Sequence, residues 1–166
     1  MKRRLTGAVL IALFAVLVGT VPAFAFDHSA DEATMLKLIN HARKSRGLAP
    51  VDSVASLDRA ALLHSRDMIA RDYLSHSSPG GATVAGRARS AGYPTSGSSL
   101  GEVIALGSSY KGTPESIFKG WMRSSGHRQI ILTKRWRDAG IGCARGTYKG
   151  YSGVVIYTVD FGRRAQ

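Results

Sequence analysis

Apolar residues first recur at helical spacing where Met35, Leu38, Ile39 and Ala42 follow one another, the rhythm of a helix with one buried face. Ser29 and Glu32 stand ahead of it at capping-box spacing, and Gly47 marks its end. Beyond the turn Leu48-Ala49-Pro50-Val51, a second helix is expected over about residues 54–72. Its apolar face holds Leu57, Ala61 and Met68, and His64 lies on the same face. A short third helix is expected over residues 84–90, stopped by Gly92 and Pro94, and residues 95–99 have the composition of a loop. The apolar run 100–106 is short enough to be a strand or the start of a helix. Thr113-Pro114-Glu115 then supplies a cap, a proline at the first helical position and an acid in the first turn. The helix it opens carries Ile117, Phe118 and Trp121 and is expected to end near Ser124-Ser125-Gly126. After Trp136 the pattern becomes that of strands. Residues 139–145 and 153–161 flank a turn built from Thr147, Lys149 and Gly150, which predicts an antiparallel hairpin. Helices first and strands later define an α+β domain. There is no internal repeat, linker or second domain in this pattern.

The N-terminal segment belongs to a different class. Lys2, Arg3 and Arg4 precede an apolar run over residues 8–18, and Ala23-Phe24-Ala25 has the small-x-small form of a cleavage site. A secretory signal over residues 1–25 is therefore expected, with residues 26–166 as the single folded domain in a secreted or periplasmic protein. The apolar run is shorter than the roughly 20 residues a membrane span needs, and no second one follows. No transmembrane segment is expected after cleavage.

Charge and cysteine narrow the field. The chain has 23 Lys and Arg against 11 Asp and Glu, a formal charge of +12. Without the three basic residues of the leader, 20 face 11. Such an excess favours anionic surfaces, among them lipid headgroups and acidic envelope polymers, unless it is spread evenly over a soluble protein. No compact basic block and no aromatic-interleaved basic patch is present, so nucleic acid is not an expected partner. Cys143 is the only cysteine. No intramolecular disulfide can form, and its place in Ala139-Gly140-Ile141-Gly142-Cys143-Ala144 predicts a buried, inert thiol.

Three residues carry the candidate chemistry, each in a short segment marked by glycine or serine: His76, Glu102 and His127. Two imidazoles and a carboxylate suit a divalent transition metal, Zn2+ or another, that keeps a position open. Glu102 sits in Leu100-Gly101-Glu102-Val103-Ile104-Ala105, where an unpaired carboxylate would be costly on burial. It needs a cation or hydrogen-bond donors, and Arg128, beside His127, is one candidate. His64 reads as a packed or helix-capping histidine, and His28 and His41 as exposed. Gly97-Ser98-Ser99-Leu100-Gly101 matches the nucleophile-elbow pattern but lacks the preceding strand that motif requires. His-Glu-x-x-His is absent. Trp121 and Trp136 read as core or cleft wall rather than as sugar platforms.

The segments Ile39-Asn40-x-x-Arg43-x-x-x-Gly47-Leu48-x-Pro50, His64-Ser65-x-Asp67-Met68, Tyr73-Leu74-Ser75-His76-Ser77-Ser78-Pro79-Gly80, Arg87-x-x-x-Ala91-Gly92-Tyr93, Gly101-Glu102-x-Ile104-Ala105, Trp121-Met122-x-Ser124-x-Gly126-His127-Arg128 and Gly140-Ile141-Gly142 run in order along the chain. Together they resemble the CAP superfamily of cysteine-rich secretory proteins, antigen 5 and pathogenesis-related 1, in its cysteine-poor bacterial branch. The resemblance implies a three-layer α-β-α sandwich with a small antiparallel sheet, and a cleft of two histidines and acidic residues that in several members binds a divalent metal. The matching positions are His76, Glu102 and His127. The family's second glutamate is replaced by Ser124, and apolar Val103 and Ile130 stand where asparagine is usual. The resemblance implies a binding module for a small-molecule or lipid ligand, sterols included. A metal-dependent hydrolase of peptide or ester bonds, and an interaction module without metal, are the alternatives the residues leave open.

Overall fold

The computed structural model describes residues 29–165; the expected signal segment 1–25 lies outside them. Helix α1 spans Ser29–Lys44, a two-residue strand β1 spans Asp52–Ser53, α2 spans Ala55–Ala70 and α3 spans Val84–Ser90. Strand β2 (Ser99–Ser108) leads through a 3-10 turn, Ser109–Gly112, into α4 (Pro114–Arg123) and α5 (Ser125–Ile131). Strands β3 (Asp138–Tyr148) and β4 (Tyr151–Arg163) complete the chain. The run 100–106 is thus the centre of a strand. Thr113 caps α4, its side chain accepting from the Ser116 amide. One helix was not foreseen: Ser124, in extended conformation (ψ 123°), breaks α4 and the chain turns at once into α5.

The sheet order is β1-β3-β4-β2. β2–β4 and β3–β4 are antiparallel, whereas β1 pairs in parallel with β3, so the small sheet is mostly rather than wholly antiparallel. Alternation along the strands gives each face its own partner layer. Gly140 and Gly142 face α2 so closely that a Cβ at either would lie 2.0 Å from the helix backbone. On that face Ser65 of α2 donates to the Gly142 carbonyl (2.9 Å) and sits 2.9 Å from the Thr158 hydroxyl. The opposite face carries Ile141, Cys143, Tyr157 and Val159. They pack in one buried cluster with Met35 and Ile39 of α1, Ile117 and Trp121 of α4 and Ile131 of α5. Helices thus cover both faces, the expected three-layer sandwich.

Polar groups bind the layers where disulfides would in a stapled domain. Arg43 is fully buried. Its guanidinium donates to the carbonyls of Ala49, Ile131 and Thr133 at 2.8–3.0 Å, joining α1 to the chain after α5. Glu32 accepts from the Cys143 amide at 3.0 Å, linking α1 to β3. Cys143 is buried, and burial pushes its thiol up to about 12, as expected of an inert cysteine.

Candidate functional site

Glu102 anchors the site from β2, the edge strand. Its side chain is 1% exposed, and both oxygens are occupied. His76, on the loop between α2 and α3, places Nδ1 2.6 Å from Oε1, while Arg87 of α3 donates to Oε2 at 2.5 Å. A carboxylate can only accept, so His76 Nδ1 carries the proton and its Nε2 lone pair faces away from Glu102. Arg87 also donates to the carbonyls of His76 and Ala82 at 2.9 and 3.1 Å, which holds the His76 loop to α3. The cation Glu102 requires is therefore Arg87. Arg128 instead donates to the Met122 carbonyl.

His64 lies closer to this centre than a core histidine would. It is 1% exposed, its Nε2 stands 2.9 Å from the Ser75 carbonyl and 4.0 Å from Glu102 Oε2. Since a carbonyl only accepts, Nε2 carries the proton. Burial, and then the Arg87 charge, hold His64 below the ordinary histidine range. The packed reading is right, and the residue also supports the loop from which His76 projects.

Asp160 is the group that sequence reasoning missed. In the β2–β4 register it sits opposite Glu102, on the same face, and is fully buried. Neither of its oxygens has a hydrogen-bond partner among the described residues, nor has Arg87 Nε. Burial, then the Glu102 charge, push its carboxyl well above the usual range, against the pull of Arg87. Ionised, Asp160 would be a second buried anion facing one cation; protonated, it becomes a donor able to face Glu102. The centre thus sets one cation, Arg87, against two buried carboxyl groups, of which Asp160 is the one pushed toward its protonated form. The detectable signal was a second acid inside an apolar strand run, but only the strand register pairs it with Glu102.

His127 approaches from the other helical layer. It follows the Ser124 break, and its Nδ1 lies 2.8 Å from Ser124 Oγ, so the serine that replaces the family's glutamate orients the imidazole. The ring stacks near Trp121, with centroids 6.5 Å apart. Burial, and then the neighbouring His76, hold its pKa below the ordinary histidine range. Trp121 is buried and donates to the Ile104 carbonyl at 3.2 Å, so it forms core and cleft wall at once. Trp136 is core. Ser99 opens a strand rather than a strand-to-helix turn, so no nucleophile elbow forms. His41 is exposed, and His28 lies outside the described residues.

Of the expected ligands, His76 and Glu102 are in direct contact, whereas His127 contacts Ser124 and Trp121. No group of three or more His, Cys, Asp or Glu side chains among the described residues is arranged to hold a metal ion. The side chains that could donate to an ion are the imidazoles of His76 and His127, the first backed by a buried carboxylate. That is the outer-sphere pattern that fixes a ligating histidine's tautomer, and it suits an ion that keeps most of its positions open.

A mostly antiparallel sheet between two helical layers, with His76 against Glu102 at its edge strand, is the arrangement of an SCP-type domain. The chain belongs to the cysteine-rich secretory protein (CAP) family, whose model matches residues 36–161. It is 35% identical over 114 residues to the uncharacterized protein YkwD of Bacillus subtilis, covering 69% of this chain and 42% of that protein's length. An extracellular protein of Bacillus anthracis containing an SCP domain superposes with a TM-score of 0.69 at 26% identity, over 82% of this chain and 41% of the other. An outer surface protein of Borrelia burgdorferi gives the same TM-score at 20% identity, over 84% and 96%, and shows likeness of fold. No helix among the described residues is long and apolar enough to cross a membrane.

Proposed function

We propose that the protein is a secreted or periplasmic binding module whose ligand enters the cleft between His76 and His127, with a divalent cation such as Zn2+ as the bound ion or as the bridge to the ligand. The carrying observation is the Glu102–His76 contact at 2.6 Å. It fixes the His76 tautomer with Nε2 bare, as ligation or hydrogen-bond acceptance requires. His127 is held through Nδ1 by Ser124, which turns its Nε2 edge away from that serine. Glu102 acts as an orienting group, because Arg87 already occupies its second oxygen. A cation bound there would supply Lewis acidity toward an anionic or carbonyl ligand. Binding is favoured over hydrolysis because Glu102, doubly engaged and buried, is poorly placed to carry protons to and from a substrate. The leader's composition and the basic surface support action outside the cytoplasm, near an anionic envelope.

Zinc is expected to raise the melting temperature of the wild-type chain, and the rise should vanish in His76→Ala and in His127→Ala. It should be smaller near pH ~5 than near pH ~8, since protonated imidazole cannot ligate. An equal rise in both variants would place the ion elsewhere and overturn the reading.

A further inference from the structure

A second surface, at the far end of the sheet, is built for contact. Among the described residues five large apolar side chains are exposed: Leu63, Leu74, Leu106, Tyr110 and Tyr151. Three of them, Leu106, Tyr110 and Tyr151, meet where β2 ends and the β3–β4 hairpin turns. Tyr110 and Tyr151 are each 75% exposed. Leu106 belongs both to the groove that Tyr110 and Lys111 line and to an open depression of about 550 Å3 lined by Ser109, Tyr148, Lys149 and Tyr151. No acidic residue lines either one. Lysines accompany the rings: Lys111 Nζ lies 5.8 Å from the Tyr110 centroid and Lys149 Nζ 5.5 Å from that of Tyr148.

The backbone at this end is strained. Among the described residues three non-glycines have positive φ, Asp72 (55°), Ser109 (50°) and Lys149 (48°), and all three lie here. Asp72 accepts from the Lys149 amide, and Ser109 shares the depression with Lys149. Lys149 and Gly150 (φ 83°) form the two-residue loop between the paired Tyr148 and Tyr151. That hairpin geometry favours asparagine or glycine at the first position. A lysine there costs the fold stability and holds its ammonium 5.5 Å from the Tyr148 ring at the tip. Strain of this kind points to a use outside the fold.

We propose that this end docks on an anionic lipid bilayer. Tyrosine suits the headgroup level, with its apolar ring and polar hydroxyl, and lysine near the surface is drawn to acidic lipids. The rings of Tyr110 and Tyr148 already carry lysines, which fits headgroup contact better than sugar stacking. The depression around Lys149 and Tyr151 contains none of His76, Glu102 and His127, whereas the groove at Tyr110 and Lys111 continues to Trp121, Ser124 and His127. Docking at the hairpin end therefore does not require metal in the cleft.

The test is co-sedimentation of the full chain with vesicles of phosphatidylcholine alone and of an equal mixture with phosphatidylglycerol, the residues before Ser29 being common to all variants. Wild type should bind the mixed vesicles more tightly. Lys111→Gln and Lys149→Asn should each weaken that binding about fivefold, the factor expected for one lysine near an acidic surface. Lys149→Asn should at the same time raise the melting temperature, separating a docking role from a structural one. Hydrogen exchange on mixed vesicles should slow at residues 106–112 and 148–152. Variants that sediment like wild type, or protection confined to other segments, would overturn the proposal. Equal competition by soluble polyphosphate would also overturn it, in favour of a general anion site.

Discussion

Glu102 shows how much one buried charge demands of its neighbours. A carboxylate placed in an apolar strand forces a cation, a donor and a proton balance around it, and here these are Arg87, His76 and Asp160. Removing one partner of a buried ion pair costs about 3–5 kcal/mol, so Arg87→Ala should lower stability by that amount in urea denaturation. Asp160→Asn removes the competing acid and supplies an amide donor, and its own effect should stay within ~1 kcal/mol. Combined, the two should be less destabilising than Arg87→Ala alone. A double variant as unstable as the sum of the singles would show that the two carboxyls do not compete for Arg87. The sequence made the demand legible but not its solution. Glu102's need for a cation follows from its setting, and Arg128 was a candidate because it adjoins His127. Arg87 lies fifteen positions before Glu102 and reaches it only because α3 packs beside β2. Asp160 is paired by strand register alone, which no local pattern encodes.

At the scale of elements, two glycines decide how helix meets sheet. Gly142→Ala would put a Cβ 2.0 Å from the Leu62 amide nitrogen, and overpacking of this kind costs about 3 kcal/mol or more. Gly120, on α4, has nothing within 4 Å of its added Cβ. Gly120→Ala should therefore stabilise by up to about 1 kcal/mol through helix propensity. Urea midpoints moving in opposite directions for the same chemical change would check both; similar shifts would refute the close α2 contact. Most elements were readable because their signals are local: α3 over Val84–Ser90, the Thr113 start of α4 and the β3–β4 hairpin. The α4–α5 break was not, since Ser124 leaves the helix through one extended residue with no proline or positive-φ glycine to announce it. The strand identity of residues 100–106 was open because a short apolar run suits either state until β4 pairs with it.

For the whole molecule, the pH response collects the buried titrating groups. His64 and His127 are both held below the ordinary histidine value, by burial first and then by Arg87 and His76 respectively. Below about pH 6.5 the unfolded chain takes up protons there that the folded chain refuses. Stability from these groups is therefore complete above that pH and falls as pH drops toward their lowered values. Asp160 acts in the opposite sense: the folded state holds its proton, so its share declines as pH rises through its raised pKa. Melting temperature against pH should be steeper for wild type than for His64→Gln below pH ~6.5, a difference from which the common Asp160 contribution cancels. Parallel curves would remove His64 from the account. The glycine-lined contact of α2 with β3 has one last consequence. It locks that helix and the strands into a single block that carries Glu102 and His64, whereas His76 rides on the connection to α3 and His127 on the short helix across the edge. The span between the two rings is thus set by those two carriers alone and can be retailored without rebuilding the foundation beneath them.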